Sequence, residues 1–191
     1  MATIARETRG HSGDLATIDD LYKVTGKAEL VDGRIVHMPL TGGVPNRVGF
    51  AIVRSLYEQE RRAGGGWAFT DNVAFRVDLP RRGSFSPDAS WHTGAAPTMK
   101  FPDGAPAFAA EVRSEGDYGP AAEVVLRRKR ADYFAAGTLV VWDVDPWAVE
   151  PVRVYRDGNP DTPSAICQRG EIAEAEPAVP GWRMPVDDLF T

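Results

Sequence analysis

Apolar positions along the chain follow two rhythms, a period of two in short runs and a helical period in two longer ones. Thr17 before Ile18-Asp19-Asp20-Leu21-Tyr22 predicts a helix start, with Thr17 as the cap and Asp20 in the reciprocal capping-box position. Ala28-Glu29-Leu30-Val31 and Arg34-Ile35-Val36-His37-Met38 flank Asp32-Gly33, which predicts a hairpin because both residues of that turn need positive φ. Val48, Ile52, Leu56 and, less strictly, Tyr57 recur at helical spacing and predict a helix from about 46 to 63, ended by Gly64-Gly65-Gly66. Strands are predicted at Trp67 to Thr70, Val73 to Val77 and Phe85 to Trp91, followed by a loop over 93–106. Phe108 to Val112 reads as a short central strand. Glu123 to Ala135 reads as a helix closed by Gly137. Leu139 to Val144 is nearly continuously apolar, the pattern of a strand buried on both faces. Val152 to Tyr155 is the last clear strand, before a proline-rich tail and Val186-Asp187-Asp188-Leu189-Phe190.

This order predicts one α/β (α+β) domain over 15–191, a mixed sheet with helices packed beside it. Residues 1–14 are polar and aperiodic and are expected to form a mobile leader. Hydrophobic content of 43% and charged content of 26% are ordinary for a soluble globular chain long enough to bury a core. There is no apolar run of membrane-spanning length and no signal-peptide core near Met1. Cys167 is the only cysteine, which excludes an intrachain disulfide and a cysteine-based zinc site. These features together favour the cytoplasm.

The formal net charge of −5 weighs against tight binding of duplex DNA through its backbone, which usually needs a surplus of lysine and arginine. The basic clusters Arg61-Arg62, Arg81-Arg82 and Arg127-Arg128-Lys129-Arg130 are either a local positive surface or plain solvated faces.

The chemistry concentrates in Ser86-Pro87-Asp88, Ala110-Glu111-Val112-Arg113-Ser114 and Lys129. Asp88 and Glu111 fall at neighbouring strand ends, where two carboxylates can hold one divalent cation, and Lys129 lies on the helix that follows. That is the minimum equipment for hydrolysing a phosphodiester. Each residue also has a bland reading. Asp88 after a proline suits a turn, and Lys129 suits a solvated face. Glu111 suits a structural salt bridge with Arg113 or a helix arginine, since a carboxylate amid Phe-Ala-Ala-Glu-Val is costly to bury unpaired. Asp143 and Asp145 read as a strand-ending turn, Tyr133 as helix packing and Trp142 as core. His11, His37 and His92 are isolated, so Ser114 lacks an activating base. Asp117 suits either a cap or a position beside the site.

Several of these segments resemble one family. Glu29-Leu30-Val31-Asp32-Gly33-Arg34 resembles its "E-L-(I/V)-D-G-E" opening, Ser86-Pro87-Asp88 its "P-D" strand and Ala110 to Ser114 its "V-E-V-x-S" strand. Lys129, Tyr133, Gly137 and Val141 to Pro146 resemble its "K-x-x-x-Y…G…V-W-x-V-D-P" stretch, and Pro180 to Phe190 its tail. This is the Uma-type family of restriction-endonuclease-like proteins, within the PD-(D/E)XK nuclease superfamily, and the match runs over roughly 15–191. The resemblance implies a mixed central sheet flanked by helices and a Mg²⁺-dependent endonuclease acting on DNA, with Mn²⁺ able to substitute. It implies Asp88, Glu111 and the Val112 carbonyl as metal ligands, with Lys129 orienting water or offsetting charge. Glu29 enters the same pocket as a further acid. A homodimer is expected, because cutting both strands needs two sites.

Two departures stand out. Arg113 occupies the superfamily's lysine position and cannot act as a base, and Asn46 stands where the family often has histidine. The alternative reading is a catalytically inactive descendant of the fold that binds nucleic acid or protein. A partner protein of a toxin–antitoxin or phage-defence system stays open as a third class.

Overall fold

The computed structural model describes residues 7–8, 15–156 and 158–191. In chain order the strands and helices are β1 (Glu7–Thr8), α1 (Ile18–Leu21), β2 (Ala28–Val31), β3 (Arg34–His37), α2 (Gly43–Ala63), β4 (Trp67–Thr70), β5 (Phe75–Leu79), β6 (Arg82–Phe85) and β7 (Ala89–His92). There follow β8 (Phe108–Val112), α3 (Pro120–Ala135), β9 (Val140–Val144), β10 (Val152–Arg156), β11 (Ala165–Cys167), β12 (Ile172–Glu174), β13 (Arg183–Pro185) and a 3-10 turn over Val186–Phe190. β1 pairs with β3; the rest of the expected leader, 1–6 and 9–14, lies outside the described residues.

Among the described residues the strands form two main sheets, ordered β1-β3-β2-β6-β5 and β11-β10-β9-β8-β7-β4, plus the small pair β12-β13. The second sheet is mixed: β8 and β9 run parallel, and its other pairs are antiparallel. The expected mixed α/β architecture is thus present.

Local signals explain the first elements. The Thr17 hydroxyl accepts from the Asp20 amide, and the Asp20 carboxylate accepts from the Thr17 amide, a complete capping box. Asp32 (φ 50°) and Gly33 (φ 66°) turn the β2–β3 hairpin, as Asp-Gly requires. Helix α2 begins earlier than its apolar spacing predicts, at Gly43, because the Pro45 ring suits a first turn.

Other segments differ from expectation. The predicted strand from Phe85 to Trp91 is two strands in two sheets: β6 ends at Phe85 and β7 begins at Ala89. Pro87 has no N–H to continue a ladder, so the chain crosses between sheets there. The tail contributes β11 to β13, strands too short and too interrupted by turn residues to show a period. Asp143 is not in a turn. It lies inside β9, opposite Glu111 of β8, and is buried.

Alternation along β8 and β9 sorts the core. Phe108, Ala110, Val112, Val140, Trp142 and Val144 face one cluster shared with α2, where Phe108, Trp142 and Trp182 pack ring against ring. The intervening Ala109 and Val141 face a second cluster with Phe85 and Tyr133. Glu111 and Asp143 continue that second face, so two acids stand side by side against α3.

Candidate active site

The site lies at the seam between the two main sheets, in a cavity of about 260 Å³. Lys27, Glu29, Val31, Val36 and Met38 line it from the β2–β3 hairpin. Asp88 enters at the head of β7, Glu111 and Val112 from β8, and Lys129 from α3. The four side chains singled out in the sequence and the Val112 backbone therefore converge on one cavity. Period-two alternation explains the hairpin's share: Lys27, Glu29 and Val31 face the cavity, whereas Ala28 and Leu30 pack into the small core beneath α1.

Asp88 is anchored at both oxygens. Its Oδ2 accepts from the Val112 amide at 2.7 Å, tying the carboxylate to the end of β8, and its Oδ1 accepts from Lys27 Nζ at 2.7 Å. Lys27 also lies 2.6 Å from Asp71 Oδ1. Burial works against the charge on Lys27, but Asp88 and Glu111 outweigh it and raise its pKa.

Glu111 accepts from Tyr133 Oη at 2.6 Å, and Lys129 Nζ stands 2.9 Å from each of its oxygens. Its partner is therefore Lys129, and the alternative pairing with Arg113 does not occur. Burial raises the Glu111 pKa; Lys129 counters this, while the charges of Asp88 and Glu29 add to it. Lys129 also lies 2.9 Å from Glu29 Oε1. Burial opposes the Lys129 charge, but Glu111 and Glu29 prevail and raise its pKa. A lysine held protonated in this way donates hydrogen bonds and offsets negative charge.

Glu29 is buried, with 1% exposure, yet fully paired. Its Oε2 accepts from Arg82 Nη1 at 2.7 Å and its Oε1 from the Ser86 amide at 2.8 Å. Burial pushes its pKa up, but Lys129, Arg82 and the Ser86 amide bring it down to about 2. Arg82 reaches on to Asp132 of α3 at 2.8 Å.

Tyr133 does more than pack. Its ring stacks on Phe85 at 4.0 Å while its hydroxyl donates to Glu111, and burial next to that carboxylate lifts its pKa well above 10. Arg113 lies on the cavity wall but points its guanidinium at Asp143 and Glu123. The expected basic rim on α3 is reduced: Arg130 is buried on Asp143, and Arg127 pairs with Asp161. Asp117 accepts from the Ser114 amide and hydroxyl, at 2.8 and 2.9 Å, beside the cavity. Lys27, Asp71 and the Tyr133 hydroxyl are additions that the sequence reading missed. Alternation from Glu29 back to Lys27 was the available signal.

Among the described residues no three His, Cys, Asp or Glu side chains form a metal-binding group. The donor set still suits a hard divalent ion. Two carboxylates and a backbone carbonyl are enough for Mg²⁺, which keeps several waters. Four carboxylates (Glu29, Asp71, Asp88, Glu111) face two ammonium groups and one guanidinium, which leaves the cluster electronegative. No helix among the described residues is long and apolar enough to cross a membrane.

A mixed sheet flanked by helices, with paired acids at a strand seam, is the architecture of a restriction-endonuclease-like nuclease fold. It is shared with a solved structure described as a "putative nuclease belonging to DUF820 from Anabaena variabilis ATCC 29413". The two superpose with a TM-score of 0.70 at 18% identity, over 91% of this chain and 97% of that one. The chain belongs to the Uma2 family, described as "Putative restriction endonuclease", whose family model matches residues 16–187. No curated protein matches the chain.

Proposed function

We propose that this protein is a metal-dependent endonuclease that hydrolyses phosphodiester bonds in DNA. The carrying observation is the convergence of Asp88 and Glu111 on one cavity, with Lys129 Nζ 2.9 Å from Glu111. Membership of the Uma2 family supports the same reading.

In this reading Asp88, Glu111 and the Val112 carbonyl hold Mg²⁺, or Mn²⁺ in its place. Once bound, the ion lowers the pKa of a coordinated water and offsets charge on the reacting phosphate. The chain's own groups do the rest. Lys129, fixed between Glu29 and Glu111, places a positive charge beside the site that would offset negative charge on the reacting phosphate. Glu29 keeps Lys129 charged and oriented, and Tyr133 fixes the Glu111 rotamer. The apolar walls formed by Val31, Val36, Met38, Val125 and Leu126 limit access of bulk water. Cleavage of both strands needs two such sites, so a homodimer is the working form proposed.

The test is cleavage of supercoiled plasmid with Mg²⁺ or Mn²⁺, with Asp88→Ala and Glu111→Ala alongside. Metal-dependent nicking by the unmodified protein, lost in both variants, is the expected result. Cleavage that survives in the variants would refute the site. Absence of cleavage by the folded protein on varied substrates would favour a non-catalytic nucleic-acid or protein binder. One observation favours that second reading: Lys27, Arg82, Arg113 and Lys129, the cations lining the cavity, all pair with the protein's own carboxylates.

A further inference from the structure

Each carboxylate assigned above as a metal ligand shares a lysine with a second carboxylate that is not a ligand. Asp88 shares Lys27 with Asp71, at 2.7 and 2.6 Å. Glu111 shares Lys129 with Glu29, at 2.9 Å on both sides. The two lysines differ in how free they are to move. Glu29, behind Lys129, is locked by Arg82 and the Ser86 amide deep in the fold. Asp71, behind Lys27, is 36% exposed and follows β4 at the mouth of a turn. Lys27 sits just before β2, after Gly26, on a side chain long enough to swing.

We infer that Lys27 is a resident counter-cation of Asp88, which a divalent ion displaces onto Asp71. With no ion present, the ammonium neutralises Asp88 and keeps the paired acids from repelling each other. A divalent ion at Asp88 takes the oxygen that Lys27 holds, and two cations cannot share that position. Asp71 then receives the displaced ammonium, so the lysine keeps an ion-pair partner in both states. No covalent bond changes, and no proton needs to move. Lys27 is thus a positioning residue that sets how tightly the site takes metal. This rests on the metal-site reading of the proposed function.

Mn²⁺ binding to the full chain, measured by titration calorimetry without nucleic acid, tests it. Lys27→Met is expected to bind Mn²⁺ about tenfold tighter or more, because the competing cation is gone. Asp71→Asn is expected to bind more weakly, because the displaced lysine loses its second partner. Asp71 is partly exposed, so that variant tests the inference even if Lys27→Met does not fold. In the Lys27→Met background the Asp71→Asn effect should vanish, whereas a simple long-range charge effect would persist unchanged. Equal or weaker binding by folded Lys27→Met, or an Asp71→Asn penalty of the same size in both backgrounds, would overturn the inference. Binding retained in Asp88→Ala would also overturn it, by placing the ion elsewhere. If the unmodified protein binds and Lys27→Met binds no tighter, only the displacement fails. If no folded variant binds Mn²⁺, the metal-site reading fails and takes the displacement with it.

Discussion

Arg113 grips Asp143 with two parallel hydrogen bonds, Nε to Oδ1 and Nη2 to Oδ2, each 2.7 Å long. Arg130 reaches the same Asp143 Oδ2 at 3.0 Å, and Arg113 also holds Glu123 of α3. Arg113 is thus a buried clamp that ties the end of β8 to β9 and α3.

Arg113→Ala should destabilise the fold by about 3 kcal/mol, since it strips a buried carboxylate of its bidentate partner. Arg113→Lys should recover only part of that, because an ammonium cannot reproduce the planar fork. Urea unfolding of the three proteins measures both. A lysine variant as stable as the unmodified protein would contradict the clamp.

Tyr133→Phe isolates one hydrogen bond. The ring stack on Phe85 remains, and only the donor to Glu111 is lost. A stability loss of about 1–2 kcal/mol is expected. If the nuclease reading holds, cleavage should fall about tenfold or more, as when a group orienting a ligand is removed. Unchanged cleavage beside a normal stability loss would confine Tyr133 to a structural role.

The pairing of Glu29 has a pH signature. Its pKa in the folded protein is about 2, depressed from an ordinary 4.5. A depressed carboxyl contributes stability that is fully present above the ordinary value and is lost as pH falls through the folded value. Denaturant midpoints should therefore decline between about pH 4.5 and pH 2. In Glu29→Gln this part of the decline should be missing. An identical acid profile for the two proteins would show that other carboxylates carry it.

Gly66 precedes β4 where backbone and ring close in. An added Cβ would sit 2.4 Å from Trp91 Nε1 and 2.9 Å from the His92 carbonyl oxygen. Neither neighbour is a flexible side-chain tip, so Gly66→Ala should cost about 1–3 kcal/mol and loosen β4 from β7. Thermal unfolding reads this directly, and a neutral effect would mean the β4 edge shifts freely.

Local signals in the sequence were sufficient wherever one short stretch decides the outcome. Thr17 with Asp20 marked the first helix, Asp32-Gly33 the hairpin, and the apolar run to Val144 the buried strand. Asp88, Glu111, Lys129 and Glu29 were legible because each sits in a recognisable segment. Lys27 was not, because its meaning depends on Asp88, which lies 61 residues away. Asp143 was misread because a buried acid and a turn acid look the same until their cations are placed. The crossing at Pro87 was hidden because both flanking runs favour strands, and only the fold shows that they belong to different sheets.

That crossing divides the charge cluster between the two sheets. Lys27 and Glu29 belong to one sheet and Glu111 to the other, and Ser86 and Asp88 are fastened to opposite sides of the break through Glu29 and Ala110. Either sheet alone would hold only part of the charge cluster. The complete cluster exists only where the two sheets meet, and the chain passes between them more than once, since β4 of the second sheet precedes β5 and β6 of the first.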